Sequence, residues 1–310
     1  MSIKGADIRN IAVIGHSGEG KTSVVEAILF NGGTTDRLGK VTDGNTVTDC
    51  DEQEIARKMS ISLSMAYTMW DGVKLDLLDV PGFYDFEGEE NEALRAAGGA
   101  LIVTGATGTL TVGAEKAIDK CLKNKIPMVV FIKGVDKDNA DYAGTVAALK
   151  EKYAGKIAPI QVPLMEGNKM VGYVNALKET CYRFADEAQK KPTPIPEELK
   201  GTLAEMQASL TETAAENDDA LLDKYFEEGT LTKDEIIHGI RKGIYNVNTI
   251  PVMAGSALQN RGIINLMDEI VKYMPSAEER REMLASGVDK DELISVTCTP
   301  DGPFAAQVFK

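Results

Sequence analysis

Gly15-His16-Ser17-Gly18-Glu19-Gly20-Lys21-Thr22, followed by Ser23, has the spacing G-x-x-x-x-G-K-[ST], and its residue types suit a grip on phosphate. Gly15, Gly18 and Gly20 let a backbone curl until its N–H groups converge on an anion, and a helix amino end beyond adds a favourable dipole. In that chemistry Lys21 reaches the β- and γ-phosphates and the Thr22 hydroxyl ligates Mg²⁺. The alternative is a chance match in an ordinary glycine turn.

Three further segments add to it in chain order. Asp79-Val80-Pro81-Gly82 follows an apolar run, so Asp79 can hold Mg²⁺ through water while the Gly82 N–H meets a γ-phosphate. Phe131-Ile132-Lys133-Gly134-Val135-Asp136 falls at the carboxyl end of an expected strand, where ligands of open α/β sheets bind. Asp136 can accept the ring N–H and exocyclic amine of guanine, a donor pair adenine lacks; the alternative is a solvated loop carboxylate. Gly255-Ser256-Ala257-Leu258 follows the last apolar run, and backbone N–H groups of Ser256, Ala257 and Leu258 are candidates for the guanine oxygen. GTP or GDP with Mg²⁺ is the ligand set these segments imply.

The elements that must position them are legible as periodicities. Residues 10–14 form a short apolar, β-branched run before the glycine loop, and residues 23–29 repeat apolar positions at helical spacing after it. Residues 61–70 and 73–78 flank Asp71-Gly72, a hairpin turn. Residues 100–104 and 127–132 predict buried strands with a helix over 114–123 between them; residues 249–254 predict another strand and 262–274 a helix. The expected fold is α/β: a doubly wound P-loop nucleotide-binding domain with an α+β insertion subdomain. Residues 1–156 and 249–285 are assigned to the nucleotide-binding domain and 157–248 to the insertion, where a proline-rich stretch at 190–196 precedes acidic helices. Residues 275–295 read as a helical linker, and residues 286–310 as the end of that linker with one strand of a further, truncated domain. Residues 31–60 are polar and lack sustained periodicity, the mark of a functional or mobile segment.

The 310 residues carry a net charge of −14, which argues against DNA binding or nonspecific nucleic-acid binding over the whole surface but leaves room for a local contact to structured RNA. No apolar run reaches membrane-spanning length and no basic-then-apolar leader opens the chain, so no membrane partner is expected. Four scattered cysteines, Cys50, Cys121, Cys181 and Cys298, fit a reducing cytoplasm, and the two histidines, His16 and His238, cannot form a metal centre by themselves.

On these motifs the chain resembles the guanine-nucleotide domain of bacterial elongation factor G and its relatives over nearly all of residues 8–310. Gly39-Lys40-Val41-Thr42-Asp43-Gly44 and Asp51-Glu52-Gln53-Glu54 are similar to the family's first switch segment, and Pro159-Ile160-Gln161-Val162-Pro163 to the start of its inserted subdomain. Asp223-Lys224-Tyr225-Phe226 and Pro251 to Ala257 resemble later landmarks, and Pro303 to Lys310 the first strand of a following β-barrel. The resemblance implies a Mg²⁺-dependent GTPase acting in translation on the ribosome, and Ser60 as the switch hydroxyl that helps hold Mg²⁺. It also implies that residues 31–60 depend on Mg²⁺ and the γ-phosphate for their order. The acidic helices at 197–235, by default a solvated face, become a candidate dock for a basic ribosomal stalk protein.

Departures from the family are equally specific. Phe83 stands where elongation factor G has the His that positions the attacking water, Gly18 where it has Asp, and Lys133-Gly134 where it has Asn-Lys ahead of Asp136. A G-H-x-G-x-G-K-T loop with an aromatic after D-x-P-G is similar to the elongation-factor-G-like subgroup. Weak intrinsic hydrolysis is therefore expected, with no certain catalytic residue; the competing reading is a GTP-sensing binding module. A fragment with no activity of its own is the third. A structural or surface role is favoured for His16 over that of a replacement base. Glu19 is expected to turn its side chain outward, away from phosphate.

Overall fold

The computed structural model describes residues 3–184, 190–279, 283–286, 293–297, 299, 302, 304 and 306–310. Its centre is a seven-stranded sheet. The strands are β1 (Ile8–Ile14), β2 (Ser64–Trp70), β3 (Val73–Asp79), β4 (Gly99–Gly105), β5 (Met128–Lys133), β6 (Ile157–Pro159) and, after four strands of the insertion, β11 (Ile250–Gly255). They lie in the order β2-β3-β1-β4-β5-β11-β6, all parallel except β2, which folds back on β3. Asp71 and Gly72 both take positive φ, 48° and 77°, as a tight hairpin turn matched to strand twist requires.

Parallel strands with helices on both faces must be apolar on both, which is why β1, β4, β5 and β11 read as continuous apolar runs rather than alternating ones. Ile11 and Val13 of β1 face a core shared with Val24, Ala27 and Ile28 of α1 (Lys21–Asn31), and with Ile263 and Leu266 of α9 (Ile263–Tyr273). Ala12 and Ile14 face the opposite core. That core is built with Leu94 of α3 (Glu87–Ala96), Ile118 of α4 (Val112–Asn124) and Leu149 of α5 (Tyr142–Lys152). The fold is the doubly wound α/β architecture. Its carboxyl edge gathers the loops after β1, β3, β5 and β11, since β1 lies between β3 and β4 where the winding reverses.

The insertion is a four-stranded antiparallel sheet, β7 (Gln161–Glu166), β8 (Lys169–Asn175), β9 (Thr180–Phe184) and β10 (Lys190–Thr193), in the order β10-β9-β8-β7. It is followed by α6 (Glu197–Glu216), α7 (Asp219–Glu228) and α8 (Lys233–Tyr245). Pro192 sits on the edge strand β10, the position in a sheet where proline removes no needed donor. The first three residues of the stretch assigned to the insertion, Ile157–Pro159, pair with β11 and belong to the central sheet. Gln161 joins the two sheets: fully buried, its side-chain amide donates to the Ala254 carbonyl at 2.7 Å and its oxygen accepts from Asn265 at 2.5 Å.

The linker reading for 275–295 needs correction. Its described residues include no helix beyond Tyr273. Instead Met283–Ser286 (β12) and Leu293–Val296 (β13) pair antiparallel, a hairpin whose short apolar runs suit strands better than a helix. Residues 304 and 306–310 carry no assigned strand; Cys298, Pro303 and Ala305, which the sequence reading also invoked, lie outside the described residues.

Because Gln161 satisfies one buried carbonyl and one buried amide, Gln161→Ala is expected to destabilise the protein by about 2–4 kcal/mol through two unmet polar groups. Urea denaturation followed by circular dichroism checks this; a loss under about 0.5 kcal/mol, below the worth of one ordinary hydrogen bond, would show that the two sheets do not rely on it.

Candidate nucleotide site

The glycine loop leaves β1 and enters α1 with Gly20 at φ 75°, ψ 33°, a left-handed turn that aims the helix amino end into the crevice. Lys21 is buried, and its ammonium donates to the carbonyls of Gly15 (3.2 Å) and His16 (3.1 Å), so the loop curls around its own lysine. Burial pushes the Lys21 ammonium below its ordinary range, opposed by Asp79, Glu19 and other carboxylates. Gly82 lies against this loop so closely that a Cβ would collide with the Lys21 ammonium and the Ser17 backbone. A cavity of about 370 Å³ opens here, lined by Ser17, Gly18, Gly20, Lys21, Thr22 and Ser23 from one side, by Ser60 from a second segment and by Gly82 and Phe83 from a third.

Beneath the cavity runs a chain of oxygen atoms. The Thr22 hydroxyl is 3.2 Å from that of Ser60, which donates to Asp49 at 2.7 Å, while Thr48 donates to Asp79 at 2.7 Å. Burial raises the Asp79 carboxyl to about 6 against hydrogen bonds from Thr48 and Thr22 that hold it down. The Asp49 carboxyl is raised by the same cause, with Ser60 opposing. One oxygen of each carboxylate, Asp49 Oδ2 and Asp79 Oδ1, is buried without a hydrogen-bond partner. Two hydroxyls and two under-satisfied carboxylates are hard oxygen donors of the kind Mg²⁺ takes alongside phosphate. Among the described residues no group of three or more His, Cys, Asp or Glu side chains is placed to hold a metal unaided.

Thr48 and Asp49 were missed by the sequence reading, and so was the device that places Ser60. Asp51 caps α2 (Glu52–Arg57) in a reciprocal capping box with Glu54. The buried Glu54 carboxylate also accepts the N–H groups of Ile61 (2.9 Å) and Ser62 (3.1 Å), folding the chain back over the cavity. Upstream, the carboxylate of Glu26 on α1 accepts the Val47 N–H at 2.6 Å. Residues 31–60 are thus held by polar anchors within the protein as well as by whatever metal and phosphate contribute. The legible signal was the D-x-x-E spacing of Asp51 and Glu54, with Thr48-Asp49 just before it.

Other expected residues divide. His16 does not line the cavity; its ring lies against Gly113 and 5.9 Å from the Tyr84 ring, as a packing residue would. Phe83 does line it, at 41% exposure, and offers no hydrogen bond at the mouth. Asp136 follows β5 with Oδ1 buried and unpartnered, and the Gly134 N–H donates to the Gly255 carbonyl at 2.9 Å, which brings the 133–136 and 255–258 loops together. The Ser256 N–H donates to the Arg261 carbonyl at 2.9 Å. Glu19 keeps its side chain out of this cavity, as expected, but is buried rather than turned to solvent, with its carboxylate 3.7 Å from the Lys133 ammonium.

This fold and this crevice define a P-loop nucleotide-binding domain. The elongation factor Tu GTP-binding domain matches residues 6–276, and the chain belongs to that family. Elongation factor G of Mycoplasma pneumoniae is 31% identical over 98% of the chain, and that of Chlamydia trachomatis serovar D 32% identical over 98%. The chain spans 44% and 45% of their lengths. A crystal structure of a Thermus thermophilus protein superposes with a TM-score of 0.83 at 30% identity, covering 89% of this chain and 41% of that one. The chain is thus similar to elongation factor G over nearly its whole length.

With two carboxylates buried side by side, Asp79→Asn is expected to raise the stability of the protein in EDTA by on the order of 1–2 kcal/mol. The same variant should lose the extra melting temperature that Mg²⁺ with GDP confers on the wild type. A lower melting point in EDTA would mean that the Thr48 hydrogen bond outweighs the cost of burying the charge.

Proposed function

We propose that the domain binds GTP and GDP with Mg²⁺ and hydrolyses GTP slowly by itself, as the nucleotide switch of a ribosome-acting, cytoplasmic translation factor. The observation that carries this reading is the convergence of Lys21, Thr22, Ser60 and Gly82, from three chain segments, on one cavity of about 370 Å³ that Asp49 also lines and the Asp79 carboxylate backs. The N–H groups of residues 15–23 and the Lys21 ammonium would bind the phosphates, and the Gly82 N–H the terminal one. Thr22 and Ser60, with Asp79 and Asp49 behind them, would hold Mg²⁺, which supplies charge neutralisation to the β- and γ-phosphates when bound. Asp136 would read guanine. Ribosomal RNA and, through the insertion, a basic stalk protein are the proposed macromolecular partners.

Phe83 specifically favours a second reading, a GTP sensor that turns over only when a partner supplies the missing group. A phenyl ring can neither orient water nor stabilise developing charge by hydrogen bonding. Two measurements separate the readings from each other and from error. Titration with fluorescent GDP and ADP is expected to show GDP bound at least about tenfold more tightly, the factor one lost hydrogen-bonded contact gives. Equal affinities would remove the guanine assignment. Single-turnover GTP hydrolysis is expected to rise on the order of 10²-fold in Phe83→His, the worth of a positioned general base. An unchanged rate with unchanged affinity would show that hydrolysis is limited elsewhere and leave the sensor reading the better one.

A further inference from the structure

The nucleotide cradle contains a charge that its chemistry does not call for. Glu19 sits inside the glycine loop, between two glycines, where a free carboxylate would oppose phosphate binding by like-charge repulsion. The side chain is nonetheless buried rather than swung into water, and its carboxylate lies 3.7 Å from the ammonium of Lys133. Lys133 is the last residue of β5, its backbone fixed between two neighbours: its carbonyl accepts the Ala106 N–H at 3.1 Å, and the next residue donates to Gly255. From that fixed base the Lys133 side chain reaches across to the phosphate loop, ending 3.8 Å from where a Cβ on Gly20 would stand. Asp136 lies three residues further along the same loop.

We propose that Glu19 and Lys133 form an ion-pair strut between the phosphate cradle and the Asp136 loop, fixing their separation and cancelling the Glu19 charge that the nucleotide phosphates would otherwise meet. This rests on the nucleotide reading above and adds two positioning residues to it. Both side chains are mostly buried, at 12% and 16% exposure, so solvent screens the pair less than it screens a surface bridge. Burial depresses the Lys133 ammonium and Lys137 adds to that, while Glu19 opposes it, so the lysine's charge leans on this partner. The pair also accounts for two unusual residues at once. A glutamate in an anion-binding loop and a lysine at the end of a buried strand are each unfavourable alone, and each is the other's compensation.

The inference predicts non-additivity of a specific sign. Lys133→Met leaves the carboxylate unpaired beside the phosphates, so fluorescent GDP is expected to bind about tenfold or more weakly, and fluorescent GTP, with one more negative charge, to lose more than GDP. Adding Glu19→Gln to Lys133→Met removes the repulsion and is expected to recover at least about fivefold of that loss, a coupling typical of contacting residues. The exchanged pair, Glu19→Lys with Lys133→Glu, is expected to bind better than either of its single substitutions. Thermal melting without nucleotide, run on every variant, supplies a readout that a purely structural bridge would dominate. The proposal is overturned if Lys133→Met costs the same, within about twofold, whether residue 19 is Glu or Gln. It is equally overturned if the coupling shows in the melting temperatures but not in the affinities. Failure of the wild type to bind either nucleotide would overturn the nucleotide reading first and the strut with it. Wild-type binding with additive variants would overturn the strut alone.

Discussion

A carboxylate with almost no exposure, Asp79, ends β3 directly under a buried ammonium, Lys21, and most of the site follows from having to satisfy those two charges. Removing an unpaired carboxylate from water costs several kcal/mol, so the chain surrounds it with donors: hydroxyls from Thr48 and Thr22, and the field of Lys21. Those donors come from a loop and a helix far apart in sequence. Holding Thr48 there requires residues 31–60 to fold back to the end of β3. The buried Asp49 carboxylate adds like charge at the same place, leaving a pocket with more negative charge than its own donors meet. A divalent cation bridged to phosphate would supply the balance. The protein's electrostatic shortfall and the ligand's chemistry therefore match.

The sheet makes this arrangement possible by geometry alone. Parallel strands put all their carboxyl ends on one edge, so the loops after β1, β3, β5 and β11 meet without any one of them being long. The glycines make the closeness tolerable: Gly82 can lie on the phosphate loop only because it has no Cβ. The result is a crevice whose floor is rigid and fully buried, and whose lid, residues 31–60, is anchored at discrete polar points, Glu26, Glu54, Asp49 and Asp79. Polar point anchors give a segment two ways to rest more readily than an apolar core does, because each can be replaced by water or ligand at modest cost.

How much of this the sequence disclosed depended on whether a local pattern or a long-range pairing was responsible. Buried parallel strands announce themselves by continuous apolar runs, and residues 10–14, 100–104, 128–132 and 250–254 of the expected strands fall in the central sheet. The hairpin at Asp71-Gly72 was legible because its turn type demands those residues. By contrast, Ile157–Pro159 is too short to show a period, and only its pairing with β11 assigns it to the central sheet. The hairpin of Met283–Ser286 with Leu293–Val296 was read as helix for the same reason. Within the site, Lys21, Thr22, Gly82 and Ser60 were nameable from motif and resemblance. Asp49 and Glu54 matter through bonds to groups elsewhere in the segment, and a spacing rule sees only part of that. The Ser256 N–H bond to Arg261 was not legible, because it lies across a turn that no motif records.

Phosphate binding and phosphate cleavage make different demands, and this chain meets them unequally. Binding needs converging N–H groups, a lysine and hard oxygen donors, and Lys21, Thr22, Asp49 and Asp79 supply the last two from buried positions. Cleavage needs in addition a group that orients water at the terminal phosphate, and the residue at that mouth is Phe83, partly exposed and without a polar atom. An aromatic ring there cannot orient water by hydrogen bonding, and that is the chemistry behind the slow hydrolysis proposed above.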